Sequence, residues 1–376
     1  MKRKIMGILL AAVMVMQAVS GCGTGSAESE SESQSVQSED TQNDGTQADS
    51  TLDEDTQAAD TQDSDTQDAQ GSEDSSDETV TVRVGGLSGP TSMGLVKLME
   101  DSANGETENT YEFAELSSDS SAFVTPLATG EIDIAAVPSN LASVIYNNTD
   151  GGVQVIAVNV LGVLNIVQRG EQITELSDLV GKTIYATGEG ATPEYTLRYL
   201  LTQNGIDPDN DLTIQWCSDT TEALSYITAD ENAVAMLPQP FVTVAQSKVD
   251  DLTVAIDLND EWAKLDNGCE IVTGVLVVRT EFAEEHPDEL AVFLAEYEES
   301  VAYTEDEPEE AAALIEKYIG VSEAVALAAL PSCHITYLVG DEMRSALEGY
   351  LQIIYDENAA SVGGSMPGDK FYYGCD

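Results

Sequence analysis

The sequence predicts an α/β protein built as two lobes, and three observations predict it. The first is a repeated unit. Val80, Val82 and Val84 alternate with Thr81 and Arg83 as in a short strand entering a core; Gly85, Gly86, Gly89 and Pro90 then break the run. Leu95, Leu98 and Met99 follow at helical spacing, with Thr91 or Ser92 placed to cap the helix. About a hundred residues later, Lys182 to Leu201 repeats the order of strand, Gly/Thr/Pro turn and amphipathic helix. The second observation is the alternation of strand-like and helix-like segments between and beyond these units, which argues for parallel-type sheets covered by helices. The third is the apolar run from Gly152 to Arg169, too long for one ordinary strand, which reads as two strands with a crossing between lobes.

A strand, a glycine turn and a helix N-terminus bring free backbone N–H groups to the rim of a sheet. Two such units, one per lobe, are able to close on a small molecule. Each loop alone is equally an ordinary α/β connection; the pairing is the stronger signal.

The remaining elements follow in order. Tyr111 to Leu116 alternates as a strand, and a Ser/Asp-rich stretch leads to a helix over Ala122 to Thr129. Pro126 requires that helix to start late or bend, and Gly130 suits its C-cap. Ile132 to Pro138 is a buried strand, with Ser139 and Asn140 capping the helix Leu141 to Tyr146. Asp211–Trp216 and Asn232–Pro240 read as strands around a helix at Thr220–Ala229, followed by a helix from Phe241 and a strand over Leu252–Leu258. Gly274 to Arg279 is a second candidate crossing, and the rest is helical: Glu285–Thr304, Glu309–Ile319, Ser322–Leu330 and Asp341–Tyr355.

Residues 1–21 combine Lys2, Arg3 and Lys4 with an apolar run from Ile5 to Val19, the pattern of a signal peptide and short for a membrane span. Val19-Ser-Gly-Cys22 resembles the lipobox of bacterial lipoproteins, which implies cleavage before Cys22 and lipidation of its sulfur. Residues 23–78 hold eighteen Asp or Glu, no Lys, Arg or aromatic residue, and a recurring Asp-Thr-Gln. Such a segment cannot bury enough apolar surface to offset chain entropy, so 22–78 is expected to be a lipidated N-terminus and disordered acidic tether. The whole chain carries a net charge of −55. That charge excludes a nucleic-acid partner and attraction to anionic lipid, and leaves the lipid anchor as the membrane contact.

Catalytic signals are weak. His286 lies in an acidic helix start, and His334 follows Cys333, where a turn histidine is a better reading than a Cys–His pair. Cys217, Cys269, Cys333 and Cys375 have no zinc spacing, and no phosphate-loop lysine motif occurs, so neither metal nor cofactor is expected. Four reduced thiols are as compatible with an exported protein as disulfides are.

Five stretches in order carry a resemblance: Gly86–Gly94, Gly130–Pro138, Gly181–Gly190, Ala235–Thr243 and Thr273–Arg279. Together they resemble the substrate-binding proteins of ABC importers of the nitrate/sulfonate/taurine type, related to thiamine-pyrimidine-binding proteins. The resemblance implies the two-lobed type II periplasmic-binding architecture, with mixed sheets flanked by helices and two crossing segments as hinge. It places lobe 1 at 79–165 plus 275–376 and lobe 2 at 166–274, and on that assignment any disulfide would pair Cys217 with Cys269 or Cys333 with Cys375. It implies a lipid-anchored monomer on the extracytoplasmic face of the cell membrane, not an enzyme, that captures a small solute and passes it to a permease with its ATPase. An enzyme or a ligand sensor on the same fold is the alternative. The ligand would lie among Ser88, Gly89, Pro90, Thr91, Ser92 and Met93; Pro138, Ser139 and Asn140; Thr187, Gly188, Glu189, Gly190, Thr192 and Pro193; and Gln239. No Lys or Arg falls in these loops while Glu189 does, which favours a neutral or cationic solute, with Tyr146, Tyr185 or Tyr195 as stacking faces.

Overall fold

The computed structural model describes residues 80–375 except Glu171. The signal segment, Cys22 and the acidic tether lie outside the described residues. The described residues all belong to the unit Asp74–Asp376, one of the two into which the chain divides.

The first sheet has six strands. β1 (Thr81–Gly86) leads through α1 (Pro90–Met93) and α2 (Val96–Asn104) to β2 (Thr110–Phe113). α3 (Val124–Thr129), β3 (Ile134–Pro138), α4 (Ser139–Asn148) and β4 (Val153–Leu161) follow. The chain then leaves this sheet. β5 (Leu164–Gln168), β6 (Thr183–Thr187), α5 (Thr192–Gln203), β7 (Thr213–Cys217), α6 (Thr220–Ala229), β8 (Val234–Pro238), α7 (Phe241–Lys248), β9 (Thr253–Asp257) and α8 (Leu258–Ala263) build the second sheet and its helices. It returns with β10 (Val272–Arg279), then α9 (Thr280–Glu285), α10 (Pro287–Asp306), α11 (Pro308–Ile319), α12 (Glu323–Ala329), β11 (Ile335–Leu338) and α13 (Gly340–Glu357). Strand order is β11-β4-β10-β3-β1-β2 in the first sheet and β7-β6-β8-β5-β9 in the second. β1 pairs parallel with β2 and β3, and β6 with β7 and β8. β10 runs antiparallel to β3 and β4, and β5 antiparallel to β8 and β9. The sheets are mixed, and each crossing strand enters against the direction of its neighbours.

Several local expectations need correction. Gly85 and Gly86 do not end β1 but belong to it, paired with Ala135 and Ala136. The positions a Cβ would take there lie 2.8 Å from Ile132 and 2.4 Å from Ser92, so these glycines admit neighbouring side chains. Thr91 and Ser92 do not cap a helix: α1 starts at Pro90 after Gly89, and both hydroxyls are buried without a hydrogen bond. Ser139 and Asn140 likewise lie inside α4, which has no side-chain cap. A 3-10 turn at Ser120–Phe123 precedes α3, so Pro126 falls within its first turn, where a missing N–H costs nothing. β11 and α9 were not expected, being four and six residues long.

One buried cluster joins Val82, Val84, Leu98, Phe293 and Tyr297 on one face of the first sheet. Another runs without a break from Val155 and Val275 through Leu347 and Tyr350 of α13 to Ile166, Ile184 and Leu197 of the second sheet. Each fully buried side chain of this size contributes roughly 1.5–3 kcal/mol. Asp133, fully buried before β3, accepts from Arg83 Nε at 2.8 Å and Nη2 at 2.7 Å, and from Arg279 Nη2 at 3.3 Å. The carboxylate hydrogen bond holds the Arg83 guanidinium above its ordinary pKa.

Candidate functional site

The C-terminal ends of β1, β3, β6 and β8, the turns that follow β1, β6 and β8, and the first turns of α1, α4 and α5 hold every candidate residue. Ser88 and Gly89, after β1, line a cavity of about 440 Å³. Pro240, Phe241, Val244 and Lys248, after β8, form its opposite wall, and the α11–α12 turn from Ile319 to Ser322 closes one side. A loop from each sheet therefore meets across this space. Ser88 is held by its N–H to Ser117 O at 2.8 Å, and its hydroxyl donates to Ile319 O at 3.3 Å. Nothing lies within 4 Å of the place a Gly89 side chain would occupy, so that backbone is open to the cavity side. Pro90 starts α1, and the other three residues of that helix, Thr91, Ser92 and Met93, are buried.

The second flank is built differently. Pro138 ends β3, and Ser139 Oγ donates to Val272 O at 2.6 Å across to β10. Asn140 Nδ2 donates to Ser361 O at 3.1 Å, in the turn after α13. From the same turn, Asn358 Nδ2 donates to Tyr195 OH at 3.1 Å on α5. The segment 358–361 thus lies between a helix of the first sheet and a helix of the second.

The β6–α5 loop is self-contained. Gly188 (φ 89°) and Gly190 (φ 73°) adopt left-handed backbone, and Pro193 lies 2.7 Å from where a Gly188 Cβ would be. Gly190 N–H donates to Glu194 Oε2 at 2.7 Å, and Glu194 Oε1 accepts from Arg198 Nε at 2.7 Å. Thr187 ends β6 beside Cys217, Thr192 is buried, and Glu189 is exposed. This loop contributes no residue to the 440 Å³ cavity. Gln239 is buried at the cavity's edge, its N–H donating to Val163 O at 2.9 Å and its Oε1 accepting from Thr243 Oγ1 at 3.0 Å.

The three tyrosines are engaged elsewhere. Tyr146 packs edge-on to Phe371, Tyr185 stacks on Tyr226 at 4.8 Å, and Tyr195 takes the Asn358 bond.

Sequence reasoning missed Lys248. It lies one α7 length from its loop, but Phe241, Val244 and Lys248 are spaced i, i+3, i+7 and share one helix face, and that spacing was the available signal. Among the described residues, at least eight of the eleven Lys and Arg beyond residue 4 form ion pairs. Lys248 has no such partner among the described residues, and it is the cation on the cavity wall.

The thiols are poor nucleophiles. Burial raises the Cys217 and Cys269 pKa values and pushes Cys333 up to about 12. No disulfide joins the four cysteines. Among the described residues no cluster of three His, Cys, Asp or Glu is placed to hold a metal, and no helix is long and apolar enough to cross a membrane.

Two mixed sheets joined by crossing strands, with a cavity between loops at their strand ends, define a two-lobed α/β binding-protein fold. The family model of ABC-transporter phosphonate periplasmic substrate-binding proteins matches residues 110–328, and the chain belongs to that family. It is a solute-binding component that works with an ABC importer. Among solved structures, an ABC transporter protein from Parabacteroides distasonis is 20% identical over 78% of this chain and 98% of that one, with a TM-score of 0.65. The periplasmic aliphatic sulphonate binding protein SsuA of Escherichia coli is 17% identical over 74% and 88%, with a TM-score of 0.61. The alkanesulfonate-binding protein SsuA of Xanthomonas axonopodis pv. citri, bound to MOPS, is 14% identical over 77% and 94%, with a TM-score of 0.55. At these identities the likeness is one of fold. The comparison with curated proteins returned no match.

Proposed function

We propose that the chain is tethered to the extracytoplasmic face of the cell membrane by a lipidated Cys22 and captures a small organic anion between lobe 1 (79–165 plus 275–376) and lobe 2 (166–274). It acts as a monomer, binds without turnover, and hands the solute to a permease and its ATPase. The observation that carries the reading is the cavity where Ser88 and Gly89 of one sheet face Pro240, Phe241 and Lys248 of the other.

The expected neutral or cationic solute is set aside because of Lys248. The Lys248 ammonium on the cavity wall, without an ion-pair partner among the described residues, supplies the cation that the loops lack. The solutes named for the relatives, phosphonate and sulfonate, have this chemistry. A calorimetric titration with methylphosphonate, 2-aminoethylphosphonate and ethanesulfonate, against cytosine and a simple amine, tests it. Binding of cytosine or the amine alone would restore the earlier expectation, and conversion of a bound compound would favour an enzyme.

A further inference from the structure

His334 has a left-handed backbone, φ 43°, in the described chain where such a conformation is costly for a non-glycine residue. The strain has a local result. His334 O accepts the Leu161 N–H at 3.1 Å, and its ring Nδ1 lies 2.5 Å from Gly162 O. The residue therefore wraps around the point where the chain leaves β4 for the second sheet. Since a carbonyl only accepts, Nδ1 carries the proton.

From the other side, Asn259 at the start of α8 donates its Nδ2–H to the same Gly162 O at 2.9 Å. The 3.3 Å separation of Asn259 Nδ2 and His334 Nδ1 is then a contact between two donors sharing one acceptor. Gly162 is confined as well: a Cβ there would sit 1.8 Å from Asn259 Oδ1 and 3.1 Å from Ile271 Cβ, beside the returning crossing. Cavities of about 460 Å³ and 260 Å³ flank the His334 ring, so it has room to swing off the carbonyl.

The geometry points to His334 and Asn259 as positioning residues that pin the crossing peptide at Gly162, one from each sheet, and so set how readily the lobes close. This rests on the reading that the lobes close on a solute. Hinges are commonly a few element-terminal residues that absorb the backbone change, and here two side chains restrain one of them. Either donor alone keeps the carbonyl satisfied; losing both leaves it orphaned.

The test uses His334→Phe, Asn259→Ala and the double variant, without solute, reading Leu161 amide hydrogen exchange and the radius of gyration in solution. Each single variant should speed exchange by only a few fold, and the double by about tenfold beyond their product, with a shifted radius. Multiplicative exchange effects, or an unchanged radius in the double variant, overturn the proposal. His334→Asn, which tolerates left-handed backbone and retains a donor, should restore slow exchange in the Asn259→Ala background and carries the test if the double variant does not fold. Failure of all phosphonates and sulfonates to bind would count against the proposed function alone, since these rates are measured without them.

Discussion

Thr196 Oγ1 and Tyr350 OH lie 2.7 Å apart in the buried core, joining α5 beside the second sheet to α13, which follows β11 of the first. The C-terminal helix thus takes part in the packing of both sheets. Tyr350→Phe leaves the Thr196 hydroxyl buried without that partner and should cost roughly 1–3 kcal/mol. Adding Thr196→Val removes the orphan and should recover part of the loss. Urea denaturation of the two variants checks this, and a double variant as unstable as the sum would contradict it.

Asp133 is the buried anion between Arg83 and Arg279. Asp133→Ala leaves Arg83, which is partly exposed, without this carboxylate and Arg279 with Glu281, and should cost about 1.5–3 kcal/mol. A thermal melt within a degree or two of the parent would contradict this.

Glu100 on α2 is held below the ordinary glutamate pKa, first by its hydrogen bond from Lys317 and then by that from Tyr318, both on α11. Because the folded value is depressed, the stabilisation is present above the unfolded glutamate range and is lost as pH falls through the folded value. Lys317→Met should return the Glu100 titration, followed by carbon NMR of its carboxyl, toward the ordinary range.

Lys248→Ala should weaken phosphonate or sulfonate binding by about tenfold, with Lys248→Glu worse and the effect smaller in high salt. Lys370→Ala, which removes a charge with no ion pair among the described residues and away from the cavity, is the control. Equal effects of Lys248→Ala and Lys370→Ala would point to net charge instead of a contact.

Cys22→Ala should release the protein from membranes of the expressing cell into the soluble fraction. Mass spectrometry of the parent should find a diacylglyceryl group on an N-terminal Cys22; an unmodified N-terminus elsewhere would remove the anchor from the proposal.

Most elements were legible because their signals are local. Thr220–Ala229 is periodic between an N-cap aspartate and a loop, and the helix occupies those residues. The site was partly legible: Ser88 and Gly89 come from a turn that punctuates sequence, whereas Lys248 is recognised only once the α7 face is known to line the cavity. β11 escaped because its four residues pair through β4, more than 170 positions earlier. Thr91 and Ser92 look like caps in sequence, and their burial within α1 is a tertiary fact.

The sequence by itself determined the alternation of strands and helices, the two glycine-turn units and the break in the apolar run from Gly152 to Arg169, because periodicity and turn chemistry act between near neighbours. The tertiary structure alone decided that Gly162 is where the sheets part, that His334 and Asn259 converge there from positions distant in the chain, and that α13 packs with both sheets. Those outcomes depend on which faces find each other on collapse, and no local pattern encodes that choice.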